Sequence, residues 1–217
     1  MKYPPLILAS QSPRRKTLLR QIGLKFTVRP SAVRENLLDH ETPEHNARRI
    51  ALSKAMKIAK ACRHGVVIGA DTIVVLRGKI LGKPRSHDEA KRMLRSLSGS
   101  MHTVYTGFAL VDVETHRRIV DIEKTKVWFR KLSEEEIEEY VASGSPMDKA
   151  GAYGIQDDYG AVFVERVEGC FYNVVGFPLT RFYKALQVMI CERSNNYRGV
   201  KGDDATKDES ADRKSRS

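Results

Sequence analysis

Several short polar stretches of this 217-residue chain carry residue types suited to phosphate and acid–base chemistry. Ser10-Gln11-Ser12-Pro13-Arg14-Arg15-Lys16 lies where a short apolar run meets a predicted helix. A helix N-terminus exposes free backbone N–H groups and the positive end of its dipole, so acidic residues normally sit there. Here Arg14, Arg15 and Lys16 crowd the first turn instead. Either these long side chains point to solvent, or a polyphosphate binds and draws N–H groups and guanidinium forks together.

Gly69-Ala70-Asp71-Thr72 interrupts the apolar β-run VVIGADTIVVL. A carboxylate in such a setting is costly unless paired, so Asp71 needs a metal ion, a lysine or a water network. An aspartate held that way can ligate Mg²⁺ or take a proton from water. The plainer reading is a turn aspartate where the strand breaks. Lys83 follows in Leu81-Gly82-Lys83-Pro84, where Gly82 permits close backbone approach to a ligand and Pro84 stiffens the loop. Lys54 is one of several lysines on its predicted helix and by itself reads as a solvated side chain; Glu35 carries no signal of its own. The stretch 148–156, DKAGAYGIQ, places two glycines in a polar loop and ends on Gln156. That amide offers both a donor and an acceptor, as reading a base edge requires, although the composition also fits a plain connection.

Other site patterns are missing. The chain has no G-x-x-x-x-G-K-[ST], G-x-G-x-x-G or H-E-x-x-H, and none of its six histidines is paired at metal-ligand spacing. Cys62, Cys170 and Cys191 are scattered, with no C-x-x-C, which indicates reduced thiols and neither a zinc site nor a redox pair. A P-loop ATPase, a Rossmann dehydrogenase and a zinc hydrolase are disfavoured.

The elements that must position these residues follow from caps and periodicity. Residues 6–9 predict a strand, and Ser12 caps the next helix, with Pro13 at its first position and Gly23 past its end. Thr42-Pro43 opens a longer helix reaching about Ala61. Residues 66–76 are β-rich, and residues 103–113 and 118–129 predict a long hairpin. Ser86 to Glu89 and Ser133 to Glu136 read as capping boxes of two further helices, ending at Gly99 and near Gly144. Residues 162–167 and 171–175 predict a second hairpin around Glu168-Gly169, and Pro178 starts a final amphipathic helix. The pattern is an α/β domain around a mixed, twisted sheet, occupying residues 1–194. Residues 195–217 carry six basic and five acidic residues and almost no apolar ones, which predicts a disordered polar tail.

A chain of this length buries a core without disulfides or structural metal. Hydrophobic residues at 41% and charged residues at 30% are ordinary for a globular protein. No run of about eighteen apolar residues predicts a membrane helix. The N-terminal apolar stretch is too short for a signal peptide, so a cytoplasmic location is expected. The net charge of +11 suits a nucleic acid or a small polyanion, and it sits outside the nearly neutral tail.

Taken together, LILASQSPRRKTLLRQIGLKF, VVIGADTIVVLRGKILGKP, AKRMLRSLSGSMHTVYTGFAL, MDKAGAYGIQ and VVGFPL resemble the Maf family of nucleotide pyrophosphatases, in order from Leu6 to about Leu186. The resemblance implies an elongated α/β fold with two lobes and a central cleft, similar to the inosine triphosphate pyrophosphatase group. It implies water attack at the α-phosphorus of a nucleoside triphosphate, release of pyrophosphate, a divalent cation (Mg²⁺ or Mn²⁺) and a homodimer. Asp71 matches the family's proton acceptor. Arg14, Thr72 and Gln156 match positions that mark the branch acting on dTTP and UTP, with modified pyrimidine triphosphates as further substrates, rather than on 7-methyl-GTP. Ser10, Arg15, Glu35, Lys54 and Lys83 match further cleft positions. On this resemblance Glu35 and Asp71 hold the cation, and Arg14, Arg15 and Lys83 hold phosphate. The chain departs from the family at Val33-Arg34, where an acidic stretch is usual. The alternatives are a basic nucleic-acid-binding module and a cell-division regulator, the latter suggested by the family's septum-formation label. Aromatic residues at 7%, with no aromatic run among the basic residues, offer no stacking platform for a nucleic acid.

Overall fold

The computed structural model describes residues 3–156 and 158–202, except for the side chains of 158 and 194–202. Its strands are β1 (Leu6–Leu8), β2 (Phe26–Val28), β3 (Val66–Leu76), β4 (Lys79–Leu81), β5 (Met101–Asp112), β6 (Arg118–Phe129) and β7 (Val164–Glu168). Its helices are α1 (Pro13–Gln21), α2 (Pro43–Ala59), α3 (His87–Leu97), α4 (Glu134–Ala142), α5 (Asp158–Phe163), α6 (Phe171–Val175) and α7 (Leu179–Gly202). The seven strands form one mixed sheet in the order β2-β1-β3-β5-β6-β7, with β4 beside β3. The β1 pairings with β2 and β3 are parallel, and the remaining pairings are antiparallel.

Alternation along β3 divides the core between the two faces of the sheet. Val66, Ile68, Ala70 and Val74 join the large cluster that holds Phe108, Phe177 and Phe182, while Val67 faces the smaller cluster under α2. Small residues bring α2 unusually close. A Cβ at Gly69 would stand 2.2 Å from the Ala51 carbonyl oxygen, and one at Gly107 would stand 2.5 Å from the Ala47 carbonyl carbon. Only glycine at both positions lets the helix backbone lie against β3 and β5, with Ala47, Ala51 and Ala55 filling the seam.

The long hairpin and the caps at Ser12, Thr42, Ser86 and Ser133 match expectation. At Ser133 both arms of the capping box form, whereas Glu89 turns its carboxylate to the Arg85 N–H at 2.8 Å rather than to Ser86. The second hairpin is corrected. Residues 164–168 pair with β6 instead, and residues 171–175 are helix α6. The cause lies in β6: Thr125 Oγ1 takes the Cys170 N–H and donates to the Cys170 carbonyl, both at 3.1 Å, which turns the chain out of the sheet. A five-residue apolar run carries too little periodicity to tell strand from helix. α7 continues past residue 194 to Gly202, and the rest of the expected tail, residues 203–217, lies outside the described residues.

Candidate active site

The site arises from a gap in the sheet. Along one edge, β3 pairs with β1 at residues 66–68 and with β4 at residues 74–76. Among the described residues, 69–73 therefore have no strand neighbour on that side. Side chains take the place of a strand: the Ala70 carbonyl accepts from Arg15 Nη1 at 2.9 Å and from Lys54 Nζ at 3.4 Å. Asp71 and Thr72 stand in this gap, at the carboxyl end of β1, where open α/β sheets place their ligand crevices.

Pleating sends Asp71 to the α2 side of the sheet. There Lys54, brought in by the close packing of α2, bonds both Asp71 Oδ1 and Glu35 Oε1 at 2.7 Å. Lys54 and Asp71 are buried, while the Glu35 side chain is half-exposed, with Lys83 Nζ 4.0 Å from its Oε2. Burial pushes the Asp71 carboxyl above its ordinary range against the pull of Lys54 and Arg15. For Glu35 burial also pushes upward, but the attraction of Lys54, Lys83 and Arg15 prevails and holds its carboxyl low.

On the other side, α1 presents its N-terminus. Ser12 Oγ caps the Arg15 N–H at 3.4 Å, and Ser10 Oγ takes the Ser12 N–H at 3.2 Å. Arg15 is buried and clamps the site together: Nε donates to the Gly176 carbonyl at 3.0 Å, Nη1 to Ser10 Oγ at 3.2 Å and Nη2 to Thr72 Oγ1 at 3.1 Å. Arg14 reaches the 148–156 loop, where Nη1 meets Asp148 Oδ2 at 2.8 Å.

Two adjoining pockets follow. One is lined by Arg14, Arg15, Glu35, Asp71, Thr72, Lys83 and Gln156, the other by Ser10, Arg14, Arg15, Glu35, Lys54 and Lys83. All nine site residues expected from the sequence thus lie in one cleft. The sequence reading assigned no role to Asp148, the counter-ion of Arg14, or to Thr106 and Asn173 beneath Thr72. The first had a signal in its charge beside a glycine loop, whereas Thr106 and Asn173 sit in apolar runs that mark only burial. Among the described residues no cluster of three or more His, Cys, Asp or Glu side chains forms a metal cage. Glu35 and Asp71 offer the carboxylate oxygens that a hard cation such as Mg²⁺ prefers, with one oxygen of each already held by Lys54.

The chain is similar to known proteins along most of its length. A family model described as "Maf-like protein" matches residues 5–189. A protein from Syntrophomonas wolfei named dTTP/UTP pyrophosphatase is 47% identical over 179 residues, covering 82% of this chain and 94% of that protein. Proteins of the same name from Carboxydothermus hydrogenoformans (46% identical, 84% of this chain, 97% of the relative) and Pelotomaculum thermopropionicum (47%, 84% and 95%) are similar along the same span. A match of that extent, on a chain whose expected site residues converge in one cleft, places this protein in the Maf family.

Proposed function

We propose that this protein hydrolyses dTTP and UTP to the monophosphate and pyrophosphate. The observation that carries the reading is the gap in β3, where a buried carboxylate, Asp71, faces a cleft edged by Arg14, Arg15 and Lys83. Its relatives' shared name, dTTP/UTP pyrophosphatase, supports the same substrates. The Arg14, Thr72 and Gln156 trio supports the pyrimidine branch.

The chain's own residues account for most of the chemistry. The cations and the α1 N-terminus cradle the triphosphate and stabilise the charge that grows on it as water attacks the α-phosphorus. Asp71 Oδ1 is held by Lys54, and Oδ2 has no hydrogen-bond partner among the described residues. A carboxylate raised by burial and fixed by one oxygen is a better proton acceptor than a free aspartate, so Asp71 takes the proton of the attacking water. Glu35 and Asp71 would hold a divalent cation. When bound, it neutralises phosphate charge and lowers the pKa of water. Lys54 keeps both carboxylates oriented. We further assign a cytoplasmic homodimer. Among the described residues no helix is long and apolar enough to cross a membrane.

The test is a panel of UTP, dTTP, ATP, GTP and 7-methyl-GTP with Mg²⁺ or Mn²⁺, read as pyrophosphate released. UTP and dTTP should give the highest kcat/KM, and a higher value for 7-methyl-GTP would overturn the branch assignment. Light scattering reports the dimer.

A further inference from the structure

Thr72 lines the pocket, yet its hydroxyl is engaged inward. It accepts from Arg15 Nη2 at 3.1 Å and lies 3.0 Å from Thr106 Oγ1. Thr106 donates to the Asn173 carbonyl at 3.1 Å. A hydroxyl has one proton, so with Thr106 giving its own to the Asn173 carbonyl, Thr72 donates to Thr106, the nearer of its two acceptors, the other being the Gly176 carbonyl at 3.5 Å. The chain therefore runs in one direction, from Arg15 through Thr72 and Thr106 to α6. Asn173 Nδ2 then donates to the Val104 carbonyl at 3.0 Å and to Thr125 Oγ1 at 2.9 Å. Thr125 in turn grips both backbone groups of Cys170. Thr106, Thr125 and Asn173 are fully buried.

This relay ties β3, β5 and β6 to residues 170–173. The next three residues, Val174, Val175 and Gly176, line the pocket with Val74, Val104 and Tyr153. Arg15 closes the circuit on the Gly176 carbonyl. Packing alone does not call for these residues: Asn173 Oδ1 is buried with no hydrogen-bond partner among the described residues, a destabilising arrangement that an apolar side chain would avoid. A connected polar network instead fixes one discrete geometry.

On the nucleotide site proposed above, we propose that Thr106 and Asn173 are positioning residues for selectivity. Without touching substrate, they hold the wall at residues 174–176 at the width of a single pyrimidine ring and so disfavour the fused rings of a purine.

Thr106→Val removes the hydroxyl at constant shape, and Thr106→Ser restores it. kcat and KM for UTP and kcat/KM for ATP and GTP are measured on the full chain, with melting curves alongside. Thr106→Val should raise KM for UTP and raise the ATP:UTP ratio of kcat/KM, each about tenfold, as loss of one networked hydrogen bond would produce, while kcat for UTP changes little. Thr106→Ser should return both towards wild type. A Val variant with an unchanged purine ratio, or one that loses kcat alone, overturns the proposal, as does a Ser variant as unselective as Val. Should Thr106→Val not fold, Thr106→Cys, with its weak S–H donor, is read by the same criteria. Wild type inactive on both UTP and dTTP refutes the proposed function and this inference with it; wild type active on UTP with an unselective relay refutes the inference alone.

Discussion

Replacing Gly69 by alanine tests whether the approach of α2 to the sheet is what arms the site. The new methyl would stand 2.2 Å from the Ala51 carbonyl oxygen, 2.8 Å from the Ala55 nitrogen and 3.0 Å from Ala55 Cβ. Non-bonded carbon contacts settle near about 3.5 Å, and two of the opposing atoms are backbone, so α2 must withdraw by roughly an ångström. Overpacking of this kind costs about 1–3 kcal/mol. At about 2–4 °C per kcal/mol for a domain of this size, the melting temperature should fall by roughly 2–12 °C. Lys54 precedes Ala55, and both its carboxylate bonds are 2.7 Å long, so the same shift stretches them past hydrogen-bonding length. A misplacement of about 1 Å in a positioned group can cost on the order of 10²-fold in rate. Thermal melting and kcat/KM for UTP would be measured together. Gly82→Ala serves as the stability control, since a Cβ there meets nothing within 4 Å and the change should stay within about 0.5 kcal/mol. A Gly69→Ala variant that melts and turns over like wild type refutes the close-packing argument. One that melts lower yet keeps full turnover separates helix placement from catalysis.

Asp71→Asn should lower kcat by about 10²–10⁴ with KM little changed. Burial raises the Asp71 pKa in the fold, so its contribution to stability is present at low pH and lost as pH rises through the folded value; at neutral pH the asparagine variant should melt no lower than wild type, and one that unfolds shows the carboxylate to be structural. Excess EDTA should abolish turnover, and Mg²⁺ or Mn²⁺ should restore it; full activity in EDTA removes Glu35 and Asp71 from a metal role. Burial lowers the His102 pKa to about 4, so the fold loses stability as pH falls from 6.5 towards 4, by up to about 3 kcal/mol; denaturant titrations across that range should show the slope in wild type and not in His102→Phe. Arg14→Ala should act mainly on KM, whereas Arg15→Ala should lower the melting temperature, because it strips bonds from the Ala70 and Gly176 carbonyls; equal melting temperatures for the two would contradict this.

The parts of the fold legible in the sequence were those with local causes. Ser12, Thr42 and Ser133 cap helices through their own side chains, and the long hairpin declares itself by length and β-propensity. The strands β2 and β4 have three residues each and exist because β1 and β3 offer edges to them, which no local pattern announces. Residues 171–175 became helix because Thr125, more than forty positions earlier, takes up the backbone of Cys170. Asp71 stood out as a charge in an apolar run. Lys54 and Glu35 did not, because their importance comes from Gly69 and Ala51 letting a helix approach a sheet, a contact between distant parts of the chain.

The basic first turn of α1 shows how tertiary contacts answer a question that local electrostatics only poses. Three cations at a positive helix end admitted two readings, side chains in solvent or a bound polyphosphate, and the fold divides the residues differently. Arg15 turns inward and makes four side-chain bonds to protein acceptors. A guanidinium has five N–H donors, so four are committed to protein and Arg15 acts chiefly as the clamp between the end of β1, β3 and the segment at Gly176. Arg14 stays at the cleft edge, its charge balanced by Asp148, whose side chain is half-exposed. An ion pair at that exposure contributes little to stability. On the proposed function, exchanging it for a substrate phosphate would cost little, and the phosphate would gain both the guanidinium and the helix end. The two arginines thus differ in place: Arg15 builds the site from within, and Arg14 stands at its edge in an exchangeable pair with Asp148.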